Sequence, residues 1–249
     1  MKKCFLLALM VLVGPAAMSF CGKCYENKNL QIESTKVIRN KDLGILVWEI
    51  KVKGKAGDTT PKPVGQLNGA PVLGYVFPTT LKPQDVGFSD TEGIVAMALT
   101  SHPDFDDTPM WDEDADRDYN NDGIIWHPHW VVLVEDDRVA GKLSVKQYDK
   151  NDTSVKLPAN NPGMPMYMDS PGFNVVTTGN TIKVIVPEYR VSFKTDFKFD
   201  AVACYMEVNT GDLASSNHSG NAGTNKPMLG VYQVYSVASG NLSLPYRVK

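Results

Sequence analysis

Short runs in which apolar and polar residues alternate, separated by glycine- and proline-rich turns, dominate this chain. In residues 45–53, Leu46, Trp48, Ile50 and Val52 share one side of the pattern. Because successive strand side chains point to opposite faces of a sheet, this alternation predicts a strand with one buried face. Similar runs recur about ten times, and no run has the periodicity of an amphipathic helix. We therefore expect an all-β fold, an antiparallel β-sandwich with long loops, with a β-barrel as the alternative.

The first 19 residues have the organisation of a secretory signal peptide. Lys2 and Lys3 precede an apolar run at residues 4–13, and small residues follow at 14–19. An apolar run of about ten residues is too short to cross roughly 30 Å of hydrocarbon. We expect residues 1–19 to be cleaved, which leaves one domain at 20–249. That mature chain is expected to be periplasmic or secreted and to lack a transmembrane segment.

Charge and motifs argue against several classes of function. The net charge is −3 and no basic stripe is present, so we expect no nucleic-acid partner. Neither a GxSxG nor an HExxH motif occurs, so we expect a non-catalytic protein, with a metal-dependent enzyme as the alternative. The acidity is local, because residues 101–123 contain nine acidic residues against one arginine. Such a block is a solvated loop unless a cation relieves its repulsion.

Residues 118–125 resemble the first eight positions of an EF-hand calcium loop. Oxygen-bearing side chains occupy positions 1, 3 and 5, and a glycine follows where the chain must turn around the ion. These residues are Asp118, Asn120, Asp122 and Gly123. Position 12 is a histidine rather than glutamate, and a strand follows instead of a helix, so the resemblance covers the loop only. We expect Ca²⁺ here, with Asp114 and Asp116 as further ligands; a solvated turn without an ion is the alternative.

A second candidate metal site follows directly, at His127 and His129. Both histidines fall on one face of a predicted strand, where two imidazoles can bind one copper or zinc ion. The alternative is a pair of partly exposed histidines beside the core. Pro128 lacks an N–H, which predicts an edge strand or a bulge. His102, at the start of the acidic loop, could fold back to supply a third ligand, and a zinc-hydroxide site would then be possible.

Sulfur-bearing residues add two further alternatives. Methionines at 164, 166 and 168 again alternate, so they could line one face; their thioethers suit Cu(I), although packing in an irregular core is their more ordinary use. Three cysteines, Cys21, Cys24 and Cys204, follow the signal peptide. An oxidising compartment favours a disulfide, either within the CxxC or to Cys204, and a thiol pair for soft metals is the alternative.

Together these features predict a secreted or periplasmic, non-catalytic metal-binding β-sandwich protein. Calcium would order residues 112–123, and copper or zinc would bind at His127 and His129. One alternative is a metal-dependent enzyme that uses the same histidines. Another is a calcium-stabilised module that binds a carbohydrate, another small molecule or a cell surface. Trp111, Trp126 or Trp130 could supply a stacking surface for a sugar, although packing in the core is the more ordinary use of Trp126 and Trp130.

The calcium hypothesis predicts that a chelator lowers the melting temperature of the purified protein, because an ion that binds only the folded state stabilises it. The double variant Asp118→Ala/Asp122→Ala should melt at the same temperature with and without chelator. Differential scanning calorimetry in calcium and in chelator measures both effects. An unchanged melting temperature of the wild-type protein in chelator would contradict the hypothesis.

Overall fold

A computed structural model describes residues 21–105, 112, 115–118, 124–210 and 226–249. The expected signal peptide lies outside these residues. The strands are β1 (Ile32–Asn40), β2 (Ile45–Val52), β3 (Pro71–Pro78), β4 (Ile94–Ser101), β5 (His127–Glu135), β6 (Leu143–Val145), β7 (Val175–Thr178), β8 (Thr181–Pro187), β9 (Lys198–Phe199), β10 (Val202–Val208), β11 (Leu229–Val237) and β12 (Tyr246–Arg247). Short 3₁₀ helices span Gly22–Tyr25, Lys28–Leu30, Pro83–Val86 and Glu188–Val191. No helix among the described residues has the length and apolarity needed to cross a membrane.

The strands form a sheet and a closed barrel. Strands β1, β2, β8 and β7 make a four-stranded antiparallel sheet in that order. Strands β3, β4, β5, β6, β11 and β10 close into a six-stranded barrel, whose last strand pairs with its first. Strands β9 and β12 form a separate short pair. The all-β prediction is confirmed, and the structure combines the expected layered packing with the barrel that stood as its alternative.

One hydrophobic core lies between the sheet and the outer wall of the barrel. The alternation predicted for β2 is observed, and Trp48 at its centre has no exposed surface. The Trp48 ring packs against Phe77 of β3 and Trp130 of β5, with ring centroids 5.3 and 5.7 Å apart. Trp126 is also buried, and its indole Nε1 donates to the carbonyl of Gly57. Neither Trp126 nor Trp130 is therefore available to stack on a sugar, and Trp111 lies outside the described residues.

A second core fills the barrel. Strands β3, β4, β5 and β10 send alternate side chains outward to the first core and inward to the second. In β5, Trp130 and Val132 face outward, whereas Val131 and Leu133 face inward. Small residues of β4, Ala96 and Ala98, leave room in the interior for larger side chains from the other strands. Because side chains alternate with period two, His127 and His129 fall on the inner side of β5.

The surroundings of Pro128 differ from the sequence-based prediction. The strand that contains it, β5, lies between β4 and β6 and so is not an edge strand. However, β6 pairs only with Leu133–Glu135, and Pro128 lies opposite Leu99 of β4. Beside the N-terminal half of β5, an isolated bridge joins Val131 to Met168. Irregular chain containing the methionines therefore covers this side of β5, where no regular ladder requires an N–H from proline.

Two of the alternating runs, residues 139–148 and 199–208, contain strands shorter than the runs themselves. Residues 139–148 contain only β6, because Asp136 organises a turn that precedes it. The Asp136 carboxylate accepts hydrogen bonds from Arg138 and from the hydroxyl of Ser144, and the Arg138 guanidinium holds the pKa of Asp136 well below its usual range. Residues 199–208 are interrupted at Asp200, whose carboxylate accepts the backbone N–H groups of Ala201 and Ser239.

The cysteines adopt one of the alternatives left open by the sequence. Cys21 and Cys24 form a disulfide at the N-terminal 3₁₀ helix. Cys204 is a free thiol, buried in the barrel. Burial raises the pKa of the Cys204 thiol to about 12, which keeps it protonated and inert at neutral pH.

Candidate metal centre

Three histidines meet at one end of the barrel interior. His127 and His129 come from the inner face of β5, and His102 directly follows β4. Strands β4 and β5 are antiparallel, and Thr100 lies opposite His127. His102, two residues beyond Thr100, thereby reaches the same region. One potential ligand atom from each of His102, His127 and His129 lies within 4.8 Å of the others.

The three imidazoles are almost completely shielded from solvent. His102, His127 and His129 expose 2%, 1% and 1% of their surface. The rings of His102 and His127 are perpendicular, with centroids 4.6 Å apart, and those of His127 and His129 are nearly so at 4.8 Å. Phe105 stacks in parallel on His102 at 4.0 Å and covers one side of the group. The arrangement is a compact group of neutral nitrogen donors that could hold a metal ion.

Backbone carbonyls determine which nitrogens of the two β5 histidines carry protons. Nδ1 of His127 lies 2.7 Å from the carbonyl oxygen of Ile125, and Nδ1 of His129 lies 2.8 Å from that of Asp169. A carbonyl oxygen can only accept, so each Nδ1 donates a proton. In the neutral rings Nε2 then carries a lone pair, which is the form that binds a metal.

The contact between His102 and His127 is consistent with this assignment. Their Nε2 atoms are 2.8 Å apart. Since Nε2 of His127 is an acceptor, Nε2 of His102 is the donor in the metal-free protein. A metal ion bound by both nitrogens would take the place of this proton.

Asp169 and Ser170 contact the His129 ring at its Nδ1 atom. Asp169 is fully buried; its backbone carbonyl accepts from His129, and its Oδ1 accepts the N–H of Trp130 at 2.7 Å. Burial raises the pKa of Asp169 to about 7, against the opposing effects of the Trp130 N–H and of Arg190, whose guanidinium lies 3.9 Å away. The Ser170 hydroxyl lies 3.2 Å from Nδ1 of His129. These contacts restrict the orientation of the His129 ring.

Methionines and other apolar side chains surround the histidines. A cavity of about 20 Å³ is lined by two of the histidines and by Thr100, Phe105, Val72, Val208, Leu229, Met164, Met166 and Met168. The three methionines of the alternating run thus share one cavity wall with His102 and His129. On the outer side, a wider cleft of about 390 Å³ is bordered by His127, Asp112 and Trp126.

The acidic residues proposed for calcium are described only in part. The Asp112 carboxylate accepts the backbone N–H groups of Asp116 and Arg117, at 3.1 and 3.0 Å. The Asp116 carboxylate accepts the N–H of Asp118 at 2.7 Å, and both residues are exposed. Asp114, Asn120 and Asp122 lie outside the described residues. The calcium site therefore stays a prediction.

Sequence reasoning found His127 and His129 and named His102 as a possible partner, but it missed the groups that orient them. Thr100 carried one available signal, because it precedes His102 by two residues, and residues two apart in an extended chain share a face. Asp169 and Phe105 carried none, since both stand in turn or loop segments, where aspartate and phenylalanine have no distinctive meaning. Their roles arise from contacts across the barrel.

Comparisons with known proteins add no relative: no family model, curated protein or solved structure is significantly similar to this chain.

The carbonyl contacts predict the tautomers of two histidines in the metal-free protein. ¹⁵N-resolved NMR at neutral pH should show a protonated Nδ1 and an unprotonated Nε2 for His127 and His129. The variants His127→Gln and His129→Gln, each lacking one set of signals, supply the assignments. Protonation at Nε2 of either ring would contradict the geometry described above.

Proposed function

We propose that this protein is a secreted or periplasmic metal-binding protein whose His102, His127 and His129 bind one transition-metal ion. The observation that carries the proposal is the pair of carbonyl contacts that leave Nε2 of His127 and His129 as lone-pair donors, beside His102. Metal-binding histidines commonly donate their second ring nitrogen to a carbonyl in this way.

We propose copper, in the Cu(I) state, as the ion. The donors are three neutral imidazoles, and the metal-ligating cluster found among the described residues contains no carboxylate. Because burying charge in apolar surroundings is costly, such a site favours a monovalent over a divalent ion. Thioethers of Met164, Met166 and Met168 beside the site also suit soft Cu(I). Zinc is the second candidate, since three histidines with an open position are a common zinc ligand set.

Binding rather than turnover is the proposed activity. His127, the histidine that borders the outer cleft, is only 1% exposed, so a substrate in the cleft would have little access to the ion. The cleft itself is the feature that favours the alternative, a metal-dependent enzyme that uses the same histidines. The proposal keeps Ca²⁺ in the acidic loop as a separate, structural ion. The proposal does not include carbohydrate binding through Trp126 or Trp130, because both side chains are buried.

Loading the protein with metal tests the proposal. After anaerobic incubation with Cu(I) and removal of unbound metal, elemental analysis should give about one copper per wild-type chain. The variant His127→Ala/His129→Ala should lose most of this copper, because two of three donors are gone. Cys204→Ala is the matched control for adventitious thiol binding and should keep its copper, since that thiol is buried and protonated.

The same preparation distinguishes copper from zinc. Replacing Met164, Met166 and Met168 with leucine conserves volume but removes the sulfurs. We expect this triple variant to bind Cu(I) roughly tenfold more weakly and Zn²⁺ unchanged, the size of effect typical of groups around a metal site. Wild-type protein that binds neither ion, or a double histidine variant that binds copper normally, would overturn the proposed function.

A further inference from the structure

Thr100 carries a buried hydroxyl that no residue in the described part of the chain satisfies. Its side chain is 3% exposed, and its Oγ1 has no hydrogen-bond partner among the described residues. Thr79 offers a direct comparison: it is 4% exposed, and its hydroxyl donates to the carbonyl of Val95 at 2.8 Å. Most buried hydroxyl groups are paired in this way, because an unpaired one loses its hydrogen bonds to water without replacement. The exception at Thr100 leaves a buried hydroxyl that a bound molecule could pair with.

Thr100 lies where such a partner would also touch the metal. It is the residue of β4 directly opposite His127, on the inner face of the barrel. Together with His129 and Met168, it borders both the 20 Å³ cavity beside the histidines and a second cavity of about 50 Å³ in the barrel interior. The hydroxyl and the His129 imidazole thus share the walls of the same space.

The size and lining of this space restrict what it can hold. One water molecule requires about 10–15 Å³ of such a cavity. The smaller cavity therefore has room for one molecule of that size, and the larger cavity for roughly three. Apart from Thr100, His129 and the Cys204 thiol, the side chains that line the larger cavity are hydrocarbon or thioether. Apolar cavities of this kind stay dry and accept small uncharged molecules. An anion or a large substrate is excluded.

We propose that the metal held by the three histidines binds a fourth, exchangeable ligand, a small uncharged diatomic molecule in the barrel interior that accepts a hydrogen bond from the Thr100 hydroxyl. The inference rests on the proposed metal site and names the ligand class of that site. Three protein donors leave a four-coordinate ion with one open position. The cavity receives the ligand, and Thr100 orients it. The proposed step is ligand binding alone, and it transfers no electron or proton.

Carbon monoxide is the probe, because it binds Cu(I) and reports its surroundings through its C–O stretching band. The copper-loaded wild-type protein should show one infrared band. In Thr100→Val, which keeps the shape but removes the hydroxyl, the band should move to higher wavenumber, since the hydrogen bond that weakened the C–O bond is gone. In Thr100→Ser the hydroxyl remains, and the band should stay near the wild-type position.

The controls separate the hydroxyl effect from a change in fold or in metal content. Thr100→Val removes an unsatisfied polar group, so its melting temperature should not fall. Thr79→Val removes a paired hydroxyl just beyond the end of β3; it should lower the melting temperature and leave the band in place. Copper content is measured on every sample before carbon monoxide is added.

The outcomes distinguish the two proposals. Full copper occupancy without a carbon monoxide band would mean that the Met168 thioether or another group closes the fourth position, and it would overturn the inference while leaving the metal site intact. The same conclusion follows if Thr100→Val and Thr100→Ser give one band position. A wild-type protein that binds no copper would overturn this inference, and one that binds neither copper nor zinc would overturn the proposed function as well.

Discussion

The register between β4 and β5 is the constraint on which the rest of the structure depends. Thr100 pairs with His127 and Ala98 with His129, so both histidines and the hydroxyl face the barrel interior. A slip of one residue would turn the histidines outward and direct Trp130 into the barrel, because strand side chains alternate. The positions of the candidate ligands therefore follow from the backbone pairing of β4 with β5.

Packing on the two faces of β5 makes that register stable. On the outer face, Trp130 is fully buried against Trp48 of the sheet, so it cannot exchange sides without emptying the main core. On the inner face, the small side chain of Ala98 leaves room opposite His129. The backbone N–H of Trp130 donates to Asp169, and the backbone carbonyl of the same Asp169 accepts from His129. Asp169 therefore contacts both the backbone of β5 at Trp130 and the ring of His129, a candidate ligand.

Much of the fold could be predicted from local patterns, but the site could be predicted only in part. Alternation in β2 identified its buried face, and the His-x-His run placed two imidazoles on one side of β5, because both are properties of a single strand. Whether the strands would close into a barrel depends on the pairing of β3 with β10, which are more than one hundred residues apart. The position of Asp169 behind His129 depends on similar long-range contacts. Pro128 was predicted to lie on an edge strand or at a bulge. Instead β5 lies inside the strand order of the barrel, but β6 pairs only with Leu133–Glu135, so no regular strand on that side requires the N–H that proline lacks.

The location of the bound ion tests the central claim most directly. Crystals of the copper-loaded protein, measured above the copper absorption edge, should give one dominant anomalous peak at the end of the barrel. It should lie ~2.0–2.1 Å from Nε2 of His127 and of His129, the usual distance from a histidine nitrogen to a metal of this size, and beside the His102 ring. A dominant peak at Cys204, in the acidic loop or elsewhere on the protein would contradict the account.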